Sequence, residues 1–246
     1  MARTIFITGS NRGIGFAVLN KFSKKEQDSK IIAHARIETP EFLEKLASLK
    51  NNNIEPVYFD LLDTENLKKQ VSAIIKSYKK IDVLINNAGV VKAPKSFLMC
   101  DENTLRETFE INFFAQVFIT QLITRAMIRN NSGAIVNLAS VAGISGIEGQ
   151  FEYVASKSAV IGMTKRLAIE LAPYKIRVNA VAPGMTDTEM MSNMENNLRE
   201  KLLSNSISKR LAQPDEIADV IYFLTSVESS YINGQILTVN GGGYVF

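Results

Sequence analysis

Short apolar runs and longer amphipathic stretches alternate through all 246 residues of this chain, and few folds accept that rhythm. RTIFIT (3–8), KIIAHA (30–35), IEPVYF (54–59), DVLINN (82–87), AIVNLA (134–139), RVNAVA (177–182) and QILTVN (235–240) read as strands. Several are apolar at successive positions, as strands are when both faces of a sheet are covered. Between them, helical patterns fall at 14–26, 40–50, 65–78, 102–130, 151–172 and 214–226. Asp63 or Thr64 suits the cap of the third, and Pro214 with Asp215 and Glu216 suits the first turn of the last. Such alternation predicts one α/β domain over 1–246: a doubly wound, seven-stranded parallel sheet with helices on both faces. No repeat, low-complexity tract or linker interrupts it. The polar, Met-bearing stretch 184–208 is expected to be a mobile substrate lid.

Composition removes several classes of function. At 46% hydrophobic and 22% charged the chain has a globular balance, and a net charge of +3 without a Lys/Arg cluster argues against nucleic acid. Cys100 is the only cysteine, which forbids an intrachain disulfide and a Cys-based zinc site; no metal is expected. His34 is the only histidine, so Ser-His-Asp or Cys-His chemistry would have to run through it. The N-terminal apolar run is broken by Thr8 and Gly9, and no 18-residue apolar run follows, so neither a signal peptide nor a membrane span is expected. A cytoplasmic location is the expectation.

Directly after the first strand comes TGSNRGIG, with Gly9, Gly13 and Gly15, and then an apolar helix. A tight glycine turn there lets the backbone approach a pyrophosphate while the helix N-terminus offers its free N–H groups. The expected cofactor cradle is therefore Gly9, Ser10, Asn11, Arg12, Gly13, Ile14 and Gly15 of a Rossmann-like fold. The second strand ends AHAR (33–36). A carboxylate at that point would read a ribose hydroxyl and repel a 2′-phosphate; this chain has Ala35 and then Arg36, with Arg12 in the turn. Two cations favour NADP(H), and NAD(H) is the alternative if Glu38 supplies the carboxylate.

The glycine turn, NNAG (86–89), Ser140 and the Tyr153/Lys157 pair of EYVASKSAVIGM occur in one order along the whole chain. In that combination the chain resembles the short-chain dehydrogenase/reductase family. GQFEYVASKSAVIGMTK, IRVNAVAPGMTDTEM and YINGQILTVNGG are most similar to its 3-oxoacyl-[acyl-carrier-protein] reductases. The resemblance implies a catalytic tetrad of Asn112, Ser140, Tyr153 and Lys157. On a helix, positions i and i+4 share a face, so the Lys157 ammonium is expected near the phenol and the cofactor ribose. It should lower the phenol pKa from about 10, making Tyr153 the proton donor to a carbonyl. Ser140 would stabilise the developing oxyanion, and Asn112 would hold a water chain that resupplies the proton. The resemblance also implies cofactor contacts at Asp60 and Leu61, at Asn87, Ala88 and Gly89, and at Pro183, Gly184, Thr186 and Thr188. Of the last group, Thr188 is the expected side-chain contact.

The resemblance implies a homotetramer as well. Ala155, Ala159, Met163, Leu167 and Leu171 form an i+4 stripe on the Tyr153 helix, core-facing by its pattern and part of a subunit interface in the family. The substrate implied is a small molecule or an acyl-carrier-protein-linked 3-oxoacyl thioester. Two departures bear on the carrier. Asn131 and Tyr174 stand where carrier-protein reductases have arginines, with Arg129 and Lys175 nearby as substitutes, and Glu152 puts a negative charge beside Tyr153. A sugar or polyol reductase is the alternative within the family, and a non-catalytic nucleotide-binding protein the alternative outside it.

Overall fold

The computed structural model describes residues 2–51, 53–189 and 206–243. Its strands are β1 (Thr4–Ile7), β2 (Lys30–Ala35), β3 (Ile54–Tyr58), β4 (Val83–Asn86), β5 (Gly133–Leu138), β6 (Ile176–Pro183) and β7 (Ile236–Val239). All pair in parallel, in the order β3-β2-β1-β4-β5-β6-β7. The doubly wound sheet read from the sequence is therefore the observed one. Its winding reverses between β1 and β4, and at such a reversal the crossovers leave a crevice beyond the carboxyl ends of the strands.

Helices α1 (Gly13–Lys25), α2 (Pro40–Ala47), α3 (Thr64–Tyr78), α4 (Glu102–Phe109), α5 (Ala115–Asn130), α6 (Ala142–Ser145), α7 (Phe151–Leu171) and α8 (Pro214–Leu224) cover the sheet. Successive strand residues point to opposite faces, and each face has its own core. Ile5, Ile7, Val83 and Ile85 meet Leu19 and Phe22 of α1 and Ile217 and Ile221 of α8. Phe6, Leu84, Ile135 and Val178 meet Val71 of α3, Ile119 and Ile123 of α5 and Leu171 of α7. Asp63 caps α3 by accepting from Asn66 N at 3.0 Å. At α8, Pro214 occupies the first turn and Glu216 reaches back to Gln213 N at 2.8 Å.

Residues 102–130, expected as one helix, are wound differently in the middle. Glu110–Phe114 forms a π-helical turn between α4 and α5, a single-turn widening often found at functional sites. The run Glu102–Asn130 is long and apolar enough to cross a membrane, yet its buried face packs on the sheet as a core helix does. On α7 the core-facing expectation holds for Leu171, which is buried, and for Leu167, which packs partly buried against the same core; Ala155, Ala159 and Met163 are half-exposed and outside it. The face turned to the sheet is instead Ser156, Val160, Thr164 and Ala168. Small and hydroxylated residues suit it because Thr164 must receive a hydrogen bond from Asn137 of β5, at 2.9 Å. Of the expected lid, residues 190–205 lie outside those described, as do 244–246 of the C-terminal tail.

His34 sits at the carboxyl edge of β2, 2% exposed. Its Nδ1 accepts from Gly9 N at 3.3 Å and its Nε2 donates to Phe59 O at 2.9 Å, so the ring is neutral. Hydrolytic chemistry through this histidine is thereby excluded: both nitrogens are spent on backbone. Burial pushes its pKa down to about 4, against smaller upward pulls from the Phe59 hydrogen bond and the Asp60 charge. A folded pKa below the unfolded one means that stability is full above the unfolded value of 6.5 and is lost as pH falls toward 4. That shift corresponds to about 3 kcal/mol. Urea unfolding of wild type and His34→Asn at pH 7.5, 6 and 5 should show a steeper acid loss in the wild type, and parallel profiles would refute this coupling.

Candidate active site

The crevice at the reversal is shaped by glycine. Gly9 and Gly13 take φ of +64° and +52°, the left-handed region that side chains resist. A Cβ on Gly15 would lie 2.0 Å from Gly9 O and 2.4 Å from Asn87 Nδ2, so the turn closes only on a bare α-carbon. Asn87 binds the turn from the neighbouring strand, donating from Nδ2 to Thr8 O at 2.9 Å and Gly9 O at 2.8 Å. Ala88 N donates to Thr8 Oγ1 at 3.1 Å. Ser10 is buried, with both its N–H and its hydroxyl on His34 O, at 2.8 and 3.0 Å. The side chains of Ser10 and Asn87, expected as cofactor contacts, thus build the cradle, while the backbone of Asn11, Arg12, Gly13 and Ile14 opens α1.

Farther along the crevice, Ala35 is buried and Arg36 exposed, which leaves its guanidinium at the rim without a carboxylate at the strand end. Glu38 lies against Tyr58, whose phenol is pushed up by burial and then by that carboxylate. Arg12 makes an exposed ion pair with Glu189 at 2.9 Å; both partners are solvated, so the pair adds little stability. Asp60 caps its own loop, Oδ1 accepting from Leu62 N at 2.9 Å, and Leu61 is a core residue. On the other side, Thr188 packs over Gly13, its Cγ2 3.2 Å from where a Cβ would stand. Pro183 ends β6, Gly184 N bonds Val239 O at 2.9 Å, and Thr186 Oγ1 donates to Gly184 O at 3.1 Å.

The four expected catalytic residues converge beyond β4 and β5. Ser140 follows β5 and accepts from Ala142 N at 3.1 Å. The Tyr153 phenol hydrogen-bonds Ser140; burial raises its pKa and the serine pulls it partly back. Lys157 is 3% exposed, with Nζ donating to Leu138 O at 2.8 Å and standing 5.8 Å from the Tyr153 ring centroid. Burial lowers the ammonium pKa to about 8. The expected depression of the phenol pKa by this cation is therefore not the dominant effect here: desolvation acts on both groups and favours neutral phenol.

Asn112 also differs from expectation in how its side chain is used. It lies in the π-helical turn, fully buried. Oδ1 accepts from Val90 N at 2.7 Å, while Nδ2 donates to Val90 O at 2.9 Å and Ser156 Oγ at 3.1 Å. Both amide hydrogens are spent on clamping the loop after β4 to α7, leaving one oxygen lone pair for a water. A Cβ on Gly89 would sit 3.2 Å from Asn112 Oδ1 and 3.3 Å from Lys157 Nζ, which places glycine, amide and ammonium around one point. Sequence reasoning missed Thr8, Gln116 and Ser156. Gln116 Nε2 donates to Ala88 O at 3.3 Å, and the i+4 spacing from Asn112 was the available signal. Glu152 is buried with Oε2 3.8 Å from Cys100 Sγ, so its charge faces that loop and not the open mouth. Among the described residues no group of three or more His, Cys, Asp or Glu gathers to hold a metal.

A parallel doubly wound sheet with a glycine-only turn at its reversal defines a dinucleotide-binding protein. Comparison with known proteins agrees. A family model described as enoyl-(acyl carrier protein) reductase matches residues 9–243. The chain is 38% identical to 3-oxoacyl-[acyl-carrier-protein] reductase of Thermotoga maritima, over 98% of this chain and 97% of the relative. Among solved structures, 3-oxoacyl-[acyl-carrier protein] reductase of Brucella melitensis is 32% identical with a TM-score of 0.90, covering 99% of this chain and 92% of the other. ElxO with NADP bound is 29% identical with a TM-score of 0.90, covering 98% of each chain. The chain belongs to the short-chain dehydrogenase/reductase family.

Gly15→Ala tests the cradle. The added methyl must displace Gly9 or Asn87, so dinucleotide affinity should fall at least about tenfold and the melting temperature should drop. Fluorescence titration with NADPH and a thermal melt would read both, and unchanged values would refute the packing argument.

Proposed function

We propose that this chain is an NADPH-dependent ketoreductase that converts 3-oxoacyl thioesters, delivered on acyl carrier protein, to 3-hydroxyacyl thioesters in fatty acid synthesis. The observation that carries the chemistry is the meeting of Ser140, Tyr153 and Lys157. Two hydroxyls converge where a carbonyl oxygen would gain charge, and a buried ammonium lies one turn behind the phenol. NADPH, when bound along the glycine turn, supplies the hydride. Ser140 orients the substrate oxygen and Tyr153 gives it the proton, which is available because burial keeps the phenol neutral. Lys157, at about 8 already close to releasing its proton, returns one to Tyr153. Asn112 holds the loop that positions Gly89 beside them.

Arg36 and Arg12 support NADP(H) over NAD(H), as does the NADP bound to the structurally similar ElxO. The names of the curated relatives support the 3-oxoacyl substrate, whereas the family model carries an enoyl reductase description. The paired hydroxyls favour the former, because carbonyl reduction places its new charge on one oxygen. We extend the proposal to a cytoplasmic, single-domain homotetramer whose segment 184–208 covers the substrate. The half-exposed α7 stripe and the 40% exposed Phe114 of the π-helical turn support association.

Tyr153→Phe should lower kcat on acetoacetyl-CoA by about 10² or more with NADPH affinity and melting temperature unchanged. Near-wild-type turnover would remove Tyr153 as the acid. Wild type should reduce acetoacetyl-CoA and leave crotonyl-CoA untouched, and the reverse would favour the enoyl reading. Arg36→Asp should shift the NADPH/NADH ratio of kcat/KM toward NADH by about tenfold or more, since a guanidinium–phosphate contact is replaced by repulsion. A wild type that already prefers NADH would overturn the cofactor assignment.

A further inference from the structure

His34 is a buried titratable side chain beside the glycine turn that the proposed chemistry does not use. We propose that it is a positioning residue for the dinucleotide, its imidazole setting the glycine turn against the loop after β3. This rests on the reading that a dinucleotide binds at that turn.

Three donors of the turn end on residue 34. Ser10 N and Ser10 Oγ reach its carbonyl, at 2.8 and 3.0 Å, and Gly9 N reaches its Nδ1 at 3.3 Å. The first two need only a backbone at position 34; the third needs an unprotonated ring nitrogen. Gly9 O is held from the other side by Asn87 Nδ2 at 2.8 Å. The Gly9 residue, at φ +64°, is thus fixed at its N–H by His34 and at its carbonyl by Asn87. The opposite edge of the ring donates to Phe59 O at 2.9 Å, and the two rings pack with centroids 4.1 Å apart. Phe59 leads directly into Asp60 and Leu61. A single side chain therefore spans the turn read as the pyrophosphate cradle and the loop at Asp60 and Leu61 read as a further cofactor contact. The tautomer follows from the partners, since an amide N–H can only donate and a carbonyl can only accept. Burial of the ring keeps Nδ1 free to accept.

Two substitutions separate the two bonds. In His34→Asn, Oδ1 stands where Nδ1 does and still accepts from Gly9 N, but nothing reaches Phe59. In His34→Gln, the amide N–H takes the place of Nε2 and still reaches Phe59 O, while the Gly9 acceptor is lost. The full chain is titrated with NADPH and with NADH, and kcat is measured on acetoacetyl-CoA at saturating cofactor. His34→Gln should raise both dissociation constants by a similar factor of about tenfold and leave kcat within about twofold, as loss of one buried hydrogen bond implies. His34→Asn should stay within about threefold of wild type by the same reasoning. As the only histidine, His34 also gives a single imidazole in a long-range ¹⁵N spectrum, where Nε2 should carry the proton at neutral pH. The proposal is overturned if His34→Asn binds as weakly as His34→Gln, or if His34→Gln only melts earlier with unchanged affinities. An effect confined to NADPH overturns it too, by locating the loss at the 2′-phosphate. Failure of the wild type to bind either nucleotide is a different result: it removes the proposed function, and this inference with it.

Discussion

Everything at the carboxyl edge depends on the close approach of the β1 turn to the loop after β4. A Cβ on Gly9 would stand 2.8 Å from the Ala88 α-carbon, closer than real Cβ contacts allow, so the two backbones touch with no side chain between them. Asn87 and Thr8 close that contact with four hydrogen bonds to and from backbone. The contact brings the start of α1, whose first N–H groups have no partner within the helix, beside the loop that Asn112 then clamps to α7. The turn read as the cofactor cradle and the residues proposed as catalytic are consequently parts of one hydrogen-bonded frame, although they come from strands far apart in sequence.

That frame explains an apparent expense. A buried lysine with its pKa drawn down to about 8 is held as a cation at neutral pH against desolvation. The hydrogen-bond partner of its Nζ is the neutral Leu138 carbonyl, and no carboxylate among the described residues pairs with it. Nothing in packing requires an ammonium there. The cost is intelligible if the site uses a proton that leaves near neutral pH, and Tyr153, likewise shifted by burial, is the adjacent group that would exchange it. Stability sacrificed at a site of this kind is ordinary for an enzyme.

Much of this was legible in the sequence, for identifiable reasons. KIIAHA matched β2 residue for residue and the other strands fell within one residue at each end. Both-face burial leaves an apolar signature in the central strands, while the half-exposed edge strands β3 and β7 were marked by β-rich runs between helical patterns. The glycine turn was legible because its steric demand acts on residue identity. The π-helical turn was not: one extra residue per turn leaves no trace in hydrophobic period. Nor was the face of α7 that meets the sheet. Its pattern pointed to Ala155, Ala159 and Met163, whereas the buried face carries Ser156 and Thr164, which answer to buried amides on other elements. Asn87, Ser10 and Asn112 were read as contacts to ligands or water, and their hydrogen-bonding capacity is spent largely on backbone. Which partner a polar side chain finds is a tertiary matter that single-sequence chemistry does not encode.

Carrier delivery and assembly are linked by geometry. Arg129 lies in the last turn of α5 and Lys175 just before β6; Ile176 follows Lys175 directly and pairs with Gly133, four residues after Arg129. Both basic residues are exposed at the amino edge of the sheet. Ser140 is at the carboxyl edge, about 20 Å away along β5 at the usual rise per residue. A carrier docked on that patch would face the wrong end of its own chain's sheet. The patch can serve a thioester only if a second copy brings its crevice alongside, which makes association a condition of the carrier reading and not an independent feature. A chain that stayed monomeric would still reduce a small diffusing thioester at Ser140 and Tyr153, but it would gain nothing from Arg129 and Lys175.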